Sequence, residues 1–194
     1  SNMSMLLFEQ INSSLLAVKK IDSSAFTENE INQVLVANKI KSKKRALEIL
    51  CTRTLLMQMG EKGEISYNID GAPKLSNNKY ISISHSSEIV SIILSDNKCG
   101  IDIEKISDRA IQAFNRFESE TKFIEKNSDF ATLIWSAKEC IFKLYQKGNI
   151  NFKDDIKTSY INFGENKICM LFKGEKLILD FLKINNHFLV YFCH

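Results

Sequence analysis

Apolar positions along the chain fall into short runs of period two and longer runs of helical period. Residues 5–9 and 14–21 suit strands, whereas 28–38 and 42–59 carry helical spacing, the latter through Ala46, Ile49, Leu50, Leu56 and Met57. Gly60 and Gly63 close that second helix. Strands are expected next at 64–69, 79–84, 88–95 and 99–104, with turns at Asp70-Gly71 and Asp96-Asn97. Helical spacing returns at 108–125 and 130–147, running into Lys147-Gly148-Asn149, and strands follow near 156–163, 167–173, 176–184 and 187–193. Helices followed by strands, twice over, predict an α+β protein of two similar-sized halves, 3–98 and 99–194.

Composition narrows the class. At 44% hydrophobic and 25% charged, the 194 residues read as an ordinary globular chain rather than a disordered one. One proline, Pro73, and 7 glycines leave no flexible linker, so any division lies within folded structure. Ser1-Asn2 ahead of Met3 reads as a cleavage scar. Apolar stretches such as Ile89 to Leu94 fall far short of the roughly 20 residues that span a bilayer. A cytoplasmic monomer without a membrane partner is the expectation. Five scattered cysteines, Cys51, Cys99, Cys140, Cys169 and Cys193, never form a C-x-x-C pair, which argues against a disulfide framework or a zinc site. The net charge of +3 is too modest to argue for nucleic acid. Its distribution is more telling: Lys39, Lys41, Lys43, Lys44 and Arg45 form a basic run suited to an anionic ligand or an acidic partner, or to a solvated helix start.

Gly100-Ile101-Asp102-Ile103-Glu104 alternates isoleucine with carboxylate on a predicted strand. Period two puts Asp102 and Glu104 on one face and both isoleucines on the other. Two neighbouring carboxylates repel unless a positive group lies between them, and a hard oxygen-bound cation such as magnesium meets that need. About thirty residues on, Trp135-Ser136-Ala137-Lys138-Glu139-Cys140-Ile141-Phe142-Lys143 lies on a predicted helix whose buried stripe is Leu133, Ala137, Cys140, Ile141 and Leu144. Trp135, Glu139 and Lys143 share another sector, and a large aromatic there marks a covered, polar, functional face. Ser84-His85-Ser86 closes a predicted strand, where a histidine can donate to a phosphate. His187 and His194 are expected to lack a polar cluster.

Together these segments resemble the surfactin-synthetase-activating class of 4′-phosphopantetheinyl transferases. That family carries a G-I-D-x-E strand, a W-S-x-K-E-x-x-x-K helix and a strand ending in S-H-S. Gly100 to Glu104, Trp135 to Lys143 and Ile83 to Ser86 match them in order and spacing. Weaker echoes lie in Arg45, Glu48, Arg53 and Leu55-Leu56, and in Arg116-Phe117 with Glu120. The family's G-K-P is replaced by Gly71-Ala72-Pro73, and Lys74 is the candidate for the displaced lysine.

The resemblance implies two pseudo-symmetric α+β halves with the active site in the cleft between them. It implies attack by a serine of an apo acyl or peptidyl carrier protein on the β-phosphorus of coenzyme A, with release of 3′,5′-ADP. Asp102, Glu104 and Glu139 would bind magnesium, and Lys143 would offset charge at the diphosphate. Glu139, or a water at the metal, would take the serine proton. Lys44, Arg45, Lys74, Ser84 and His85 would hold the coenzyme. A D-x-E with a later E-x-x-x-K also suits a metal-dependent nuclease, but no basic and aromatic stripe for bases accompanies it.

Overall fold

Two antiparallel strands, β1 (Met5–Ile11) and β2 (Ser14–Lys20), open the chain in the computed structural model, which describes residues 4–119, 127–146 and 148–193. Ser1, Asn2, Glu120, Lys147 and His194 lie outside the described residues. Helix α1 (Glu28–Ala37) starts at a reciprocal cap between Thr27 and Glu30, and α2 (Lys43–Gln58) starts where the Ser42 hydroxyl accepts from the Arg45 amide. A small hairpin, β3 (Ile65–Tyr67) and β4 (Pro73–Leu75), precedes β5 (Tyr80–His85) and β6 (Ile89–Ser95). The second half runs β7 (Gly100–Lys105), α3 (Asp108–Phe117), α4 (Ser128–Tyr145), β8 (Ile156–Asn162), β9 (Lys167–Phe172), β10 (Glu175–Ile184) and β11 (His187–Phe192).

The strands form an N-terminal antiparallel sheet of order β1-β2-β6-β5 and a C-terminal one of order β7-β11-β10-β9-β8. The two share a plan. A first strand, β2 or β7, leads into a helix pair and pairs with the last strand, β6 or β11, which pairs in turn with the strand before it, β5 or β10. Period two buries both faces of the N-terminal sheet. Ala17, Val90, Ile92 and Leu94 pack under Cys51, Leu55, Leu56 and Met59 of α2 and its C-cap, while Leu16, Val18, Ile89 and Ile93 meet Ile101, Ile103, Leu189 and Tyr191 of the second sheet. The far face of that second sheet carries α3 and α4 on Ile168, Met170, Leu179, Phe181, Phe188 and Val190. Cys51, Cys99, Cys140 and Cys169 are buried thiols, and all five cysteines are free. Among the described residues, no helix is long and apolar enough to cross a membrane.

Several elements differ from the sequence pattern, each for a local reason. β4 was not expected; Asn68 accepts from the Asp70 and Ala72 amides, and this turn folds Pro73–Leu75 back onto β3. Helix α3 ends at Phe117, where Glu118 turns extended and inserts its side chain into the core beside Lys138 and Thr158; the expected helical positions 120–125 lie outside the described residues. On α2 the stripe facing the sheet is rotated from the expected one. Met57 is 76% exposed, while Cys51, Leu55 and Met59 fill the interface.

Candidate active site

Ser82 and Ser84 join the edges of the two sheets. The edge strands β5 and β7 meet, but in place of a backbone ladder Ser82 Oγ accepts from the Ile101 amide (3.1 Å) and Ser84 Oγ from the Ile103 amide (3.0 Å). Ser84 Oγ also donates to Asp102 Oδ1 at 3.1 Å, so its hydroxyl is committed to β7. On the other side, α4 lies close against β7. A Cβ on Gly100 would meet the Cys140 carbonyl oxygen at 2.5 Å, so only glycine admits this approach.

That approach brings the two motifs together. Asp102, buried, accepts from Ser136 Oγ on Oδ2 (2.9 Å) and from Lys143 Nζ on Oδ1 (3.0 Å), in addition to Ser84. Glu104 and Glu139 stand close enough to act electrostatically on this cluster. Burial, then the Asp102 charge, pushes Glu104 up to about 9 and Glu139 up to about 7. Burial alone would lower the Lys143 ammonium, but Asp102, Glu139 and Glu104 outweigh it and hold the pKa above its ordinary value. Leu133, Ala137, Cys140, Ile141 and Leu144 are all buried, while Trp135, Glu139 and Lys143 are half-buried on the covered sector.

Three carboxylates against one ammonium leave an excess of negative charge, which the raised Glu104 and Glu139 register. An oxygen-only donor set with surplus charge suits a hard divalent cation. Among the described residues no three such groups converge as a formed metal cage. The set fits such an ion by donor type and charge alone.

Cavities flank the cluster. One of about 740 Å³ is lined by Glu104, Trp135, Lys44, Arg109 and Arg116, and one of about 860 Å³ by Arg45, Arg53, Ile49 and Tyr67; His85 borders both. A third, of about 180 Å³, lies between Ala72 and the pair Glu139 and Lys143. The neighbours Lys44 and Arg45 thus face different cavities. Both lie in the first turn of α2, where cations oppose the helix dipole, so the local field strongly favours an anion. Lys74 stands exposed on β4 and lines none of these cavities.

Residues 98–190 match the family model of the 4′-phosphopantetheinyl transferase superfamily. Over those residues, just under half of the chain, it is similar to this superfamily. One relative is the 4′-phosphopantetheinyl transferase gsp of Aneurinibacillus migulanus, 30% identical over 109 residues that cover 50% of this chain and 46% of the relative. The chain thus spans under half the length of the curated relative it matches. The matched segment contains Asp102, Glu104, Glu139 and Lys143, while Ser84, His85, Lys44 and Arg45 precede it.

Two groups at this site escaped the sequence reading. Lys138, fully buried, donates to the carbonyls of Phe117, Phe152 (2.8 Å) and Ile156 (2.7 Å) and pairs with Glu118 at 3.3 Å. Its place in one helical column with Ile134 and Ile141 was a readable signal, since a lysine in an apolar column must be paired. His187 was expected to lack polar company, and the structure corrects this. Buried on β11, it contacts the Asn185 carbonyl through Nδ1 (2.7 Å) and Ser86 Oγ through Nε2 (2.8 Å), bracing the turn beside His85 from the second sheet. No periodicity signals a contact 101 residues apart.

Proposed function

We propose that the chain transfers the 4′-phosphopantetheine arm of coenzyme A to a serine of an apo acyl or peptidyl carrier protein. The observation that carries this reading is the pairing of Asp102 on β7 with Lys143 on α4, with Glu104 and Glu139 close enough to act on them electrostatically, within the segment that matches the superfamily. In the reaction the carrier serine oxygen bonds to the β-phosphorus, the bond from that phosphorus to the bridging oxygen breaks, and 3′,5′-ADP leaves. Such chemistry depends chiefly on positioning and on neutralising charge.

Asp102, Glu104 and Glu139 would hold magnesium, which when bound supplies Lewis-acid neutralisation of phosphate oxygens. Lys143, fixed by Asp102, offsets charge on the diphosphate. Glu139, kept ionised beside the cation, or a water at the metal, would take the serine proton. Arg45 and His85, with Lys44, bind the phosphates of the adenosine end. Lys74 adds only long-range charge. Arg109 and Arg116 on α3, exposed and without a carboxylate partner among the described residues, favour an acidic partner surface at the cavity that Glu104 lines. We place the action in the cytoplasm, by a monomer and without nucleic acid.

The test is incubation with coenzyme A, magnesium and a panel of apo carrier proteins, read by intact mass. A phosphopantetheine mass increment on a carrier, lost in Glu104→Gln and Glu139→Gln, is the expected result. No increment on any carrier together with no 3′,5′-ADP release would overturn the reading.

A further inference from the structure

Glu48 brings together two basic side chains, Arg45 and His85, that the sequence leaves 40 residues apart. Its side chain, 9% exposed, lies on α2, one turn beyond Arg45 and opposite the end of β5. The same oxygen, Oε2, takes Arg45 Nη1 at 3.2 Å and lies 3.5 Å from His85 Nε2. Arg45 and His85 remain 50% and 36% exposed at their side chains, so the carboxylate is the covered member of the three. A buried carboxylate needs cations or donors around it, and here two serve it at once. Each contact occupies one nitrogen. The rest of the guanidinium fork and His85 Nδ1 are left for a ligand at the border of the two large cavities.

Without that anchor the two side chains have no common reference. A long arginine at a helix surface samples many rotamers, and binding a phosphate then costs the ordering of each group. A shared carboxylate behind them reduces that cost and leaves the free guanidinium donors and the imidazole facing outward.

We infer that Glu48 is a positioning residue that yokes Arg45 and His85 into one clamp for the 3′-phosphate of coenzyme A, and so sets the preference for the 3′-phosphorylated coenzyme. This rests on the transferase reading above, which nothing in the clamp itself establishes.

The test compares transfer from coenzyme A and from dephospho-coenzyme A, which lacks the 3′-phosphate, in wild type and Glu48→Gln, with calorimetric binding of each. Glu48→Gln is expected to raise KM for coenzyme A by about tenfold, as for a lost charge-assisted contact, with kcat within about twofold. KM for dephospho-coenzyme A should move by less than about twofold, as for a contact that ligand never makes. Added to an Arg45→Ala, His85→Ala background, the same change should do nothing further. An equal loss with both substrates, a loss confined to kcat, or an undiminished effect in that background would reduce Glu48 to a structural residue. If Glu48→Gln melts below the assay temperature, Glu48→Asp, which keeps the charge but withdraws it by one methylene, carries the same comparison. A wild type that neither binds nor turns over coenzyme A overturns the transferase reading along with this one. A wild type that does both, with unchanged discrimination in the variant, overturns the clamp alone.

Discussion

Ser84 and Asp102 meet across the junction of two sheets, with Ser84 Oγ donating to Asp102 Oδ1 at 3.1 Å while it accepts the Ile103 amide at 3.0 Å. One hydroxyl thus both joins the halves and orients the central carboxylate. Ser84→Ala would leave the buried Ile103 N–H without its acceptor and Asp102 with one donor fewer. A loss of about 1–3 kcal/mol is expected by chemical denaturation, with slower turnover. Ser84→Thr, which keeps the hydroxyl, should recover most of the stability where its methyl fits.

The raised carboxyls make a prediction about pH in the metal-free protein. Glu139 and Glu104 are held at about 7 and about 9, against an ordinary value of 4.5. Between 4.5 and those values the folded state keeps protons that the unfolded state has released, so stability falls as pH rises. Thermal melts without metal should therefore decline from about pH 5 towards pH 9. Glu104→Gln should flatten the decline, and added magnesium should raise the melting temperature more at pH 8 than at pH 5. A metal-free melting temperature that climbs from pH 5 to pH 9 would contradict the site as described.

Gly100 sets how near α4 comes to β7. In Gly100→Ala the new methyl would meet the Cys140 carbonyl at 2.5 Å and Leu144 Cβ at 3.2 Å, both on the helix that carries Glu139 and Lys143. Backbone at that distance cannot swing aside, so the helix must shift. Overpacking of this kind costs about 1–3 kcal/mol. Activity per folded molecule should fall as well, since Lys143 withdraws from Asp102. Equal stability and equal turnover would show that the helix has room to spare.

Much of the site was legible because its chemistry is written in local periods. The alternation in Gly100 to Glu104 fixed which face Asp102 shares with Glu104, and helical spacing separated Leu133, Ala137 and Cys140 from Glu139 and Lys143. Both depend on the chain's own geometry. What escaped depends on partners brought from elsewhere. Arg45 and Glu48 are one helical turn apart and readable, but that His85 joins them follows from where β5 ends against α2. Glu118 ends α3 only because Lys138 and Thr158 draw it inward, and His187 acquires Ser86 only when the sheets pack. Met57 was misread for a related reason. A helix with apolar residues on several sides does not declare which side will face the sheet.

Lys138 and Glu118 supply the last prediction. Both side chains are fully covered, 3.3 Å apart, and the lysine also holds three carbonyls from Phe117, Phe152 and Ile156. Lys138→Met removes the cation and leaves the Glu118 carboxylate buried, which costs about 3–5 kcal/mol where such a pair is broken. Glu118→Gln in the same chain removes the charge yet keeps an acceptor for the Thr158 hydroxyl, which bonds Glu118 at 2.6 Å, so the double variant should regain part of the loss. The fluorescence of Trp135 can report on this, since it is the only tryptophan of the chain. Its ring packs against Phe117 at 5.1 Å and Phe152 at 5.3 Å, the two residues whose carbonyls Lys138 holds. In Lys138→Met the Trp135 emission should shift to the red at lower denaturant than the global circular dichroism transition. Coincident transitions in wild type and variant alike would mean that this wall of the Glu104 cavity does not depend on the buried lysine.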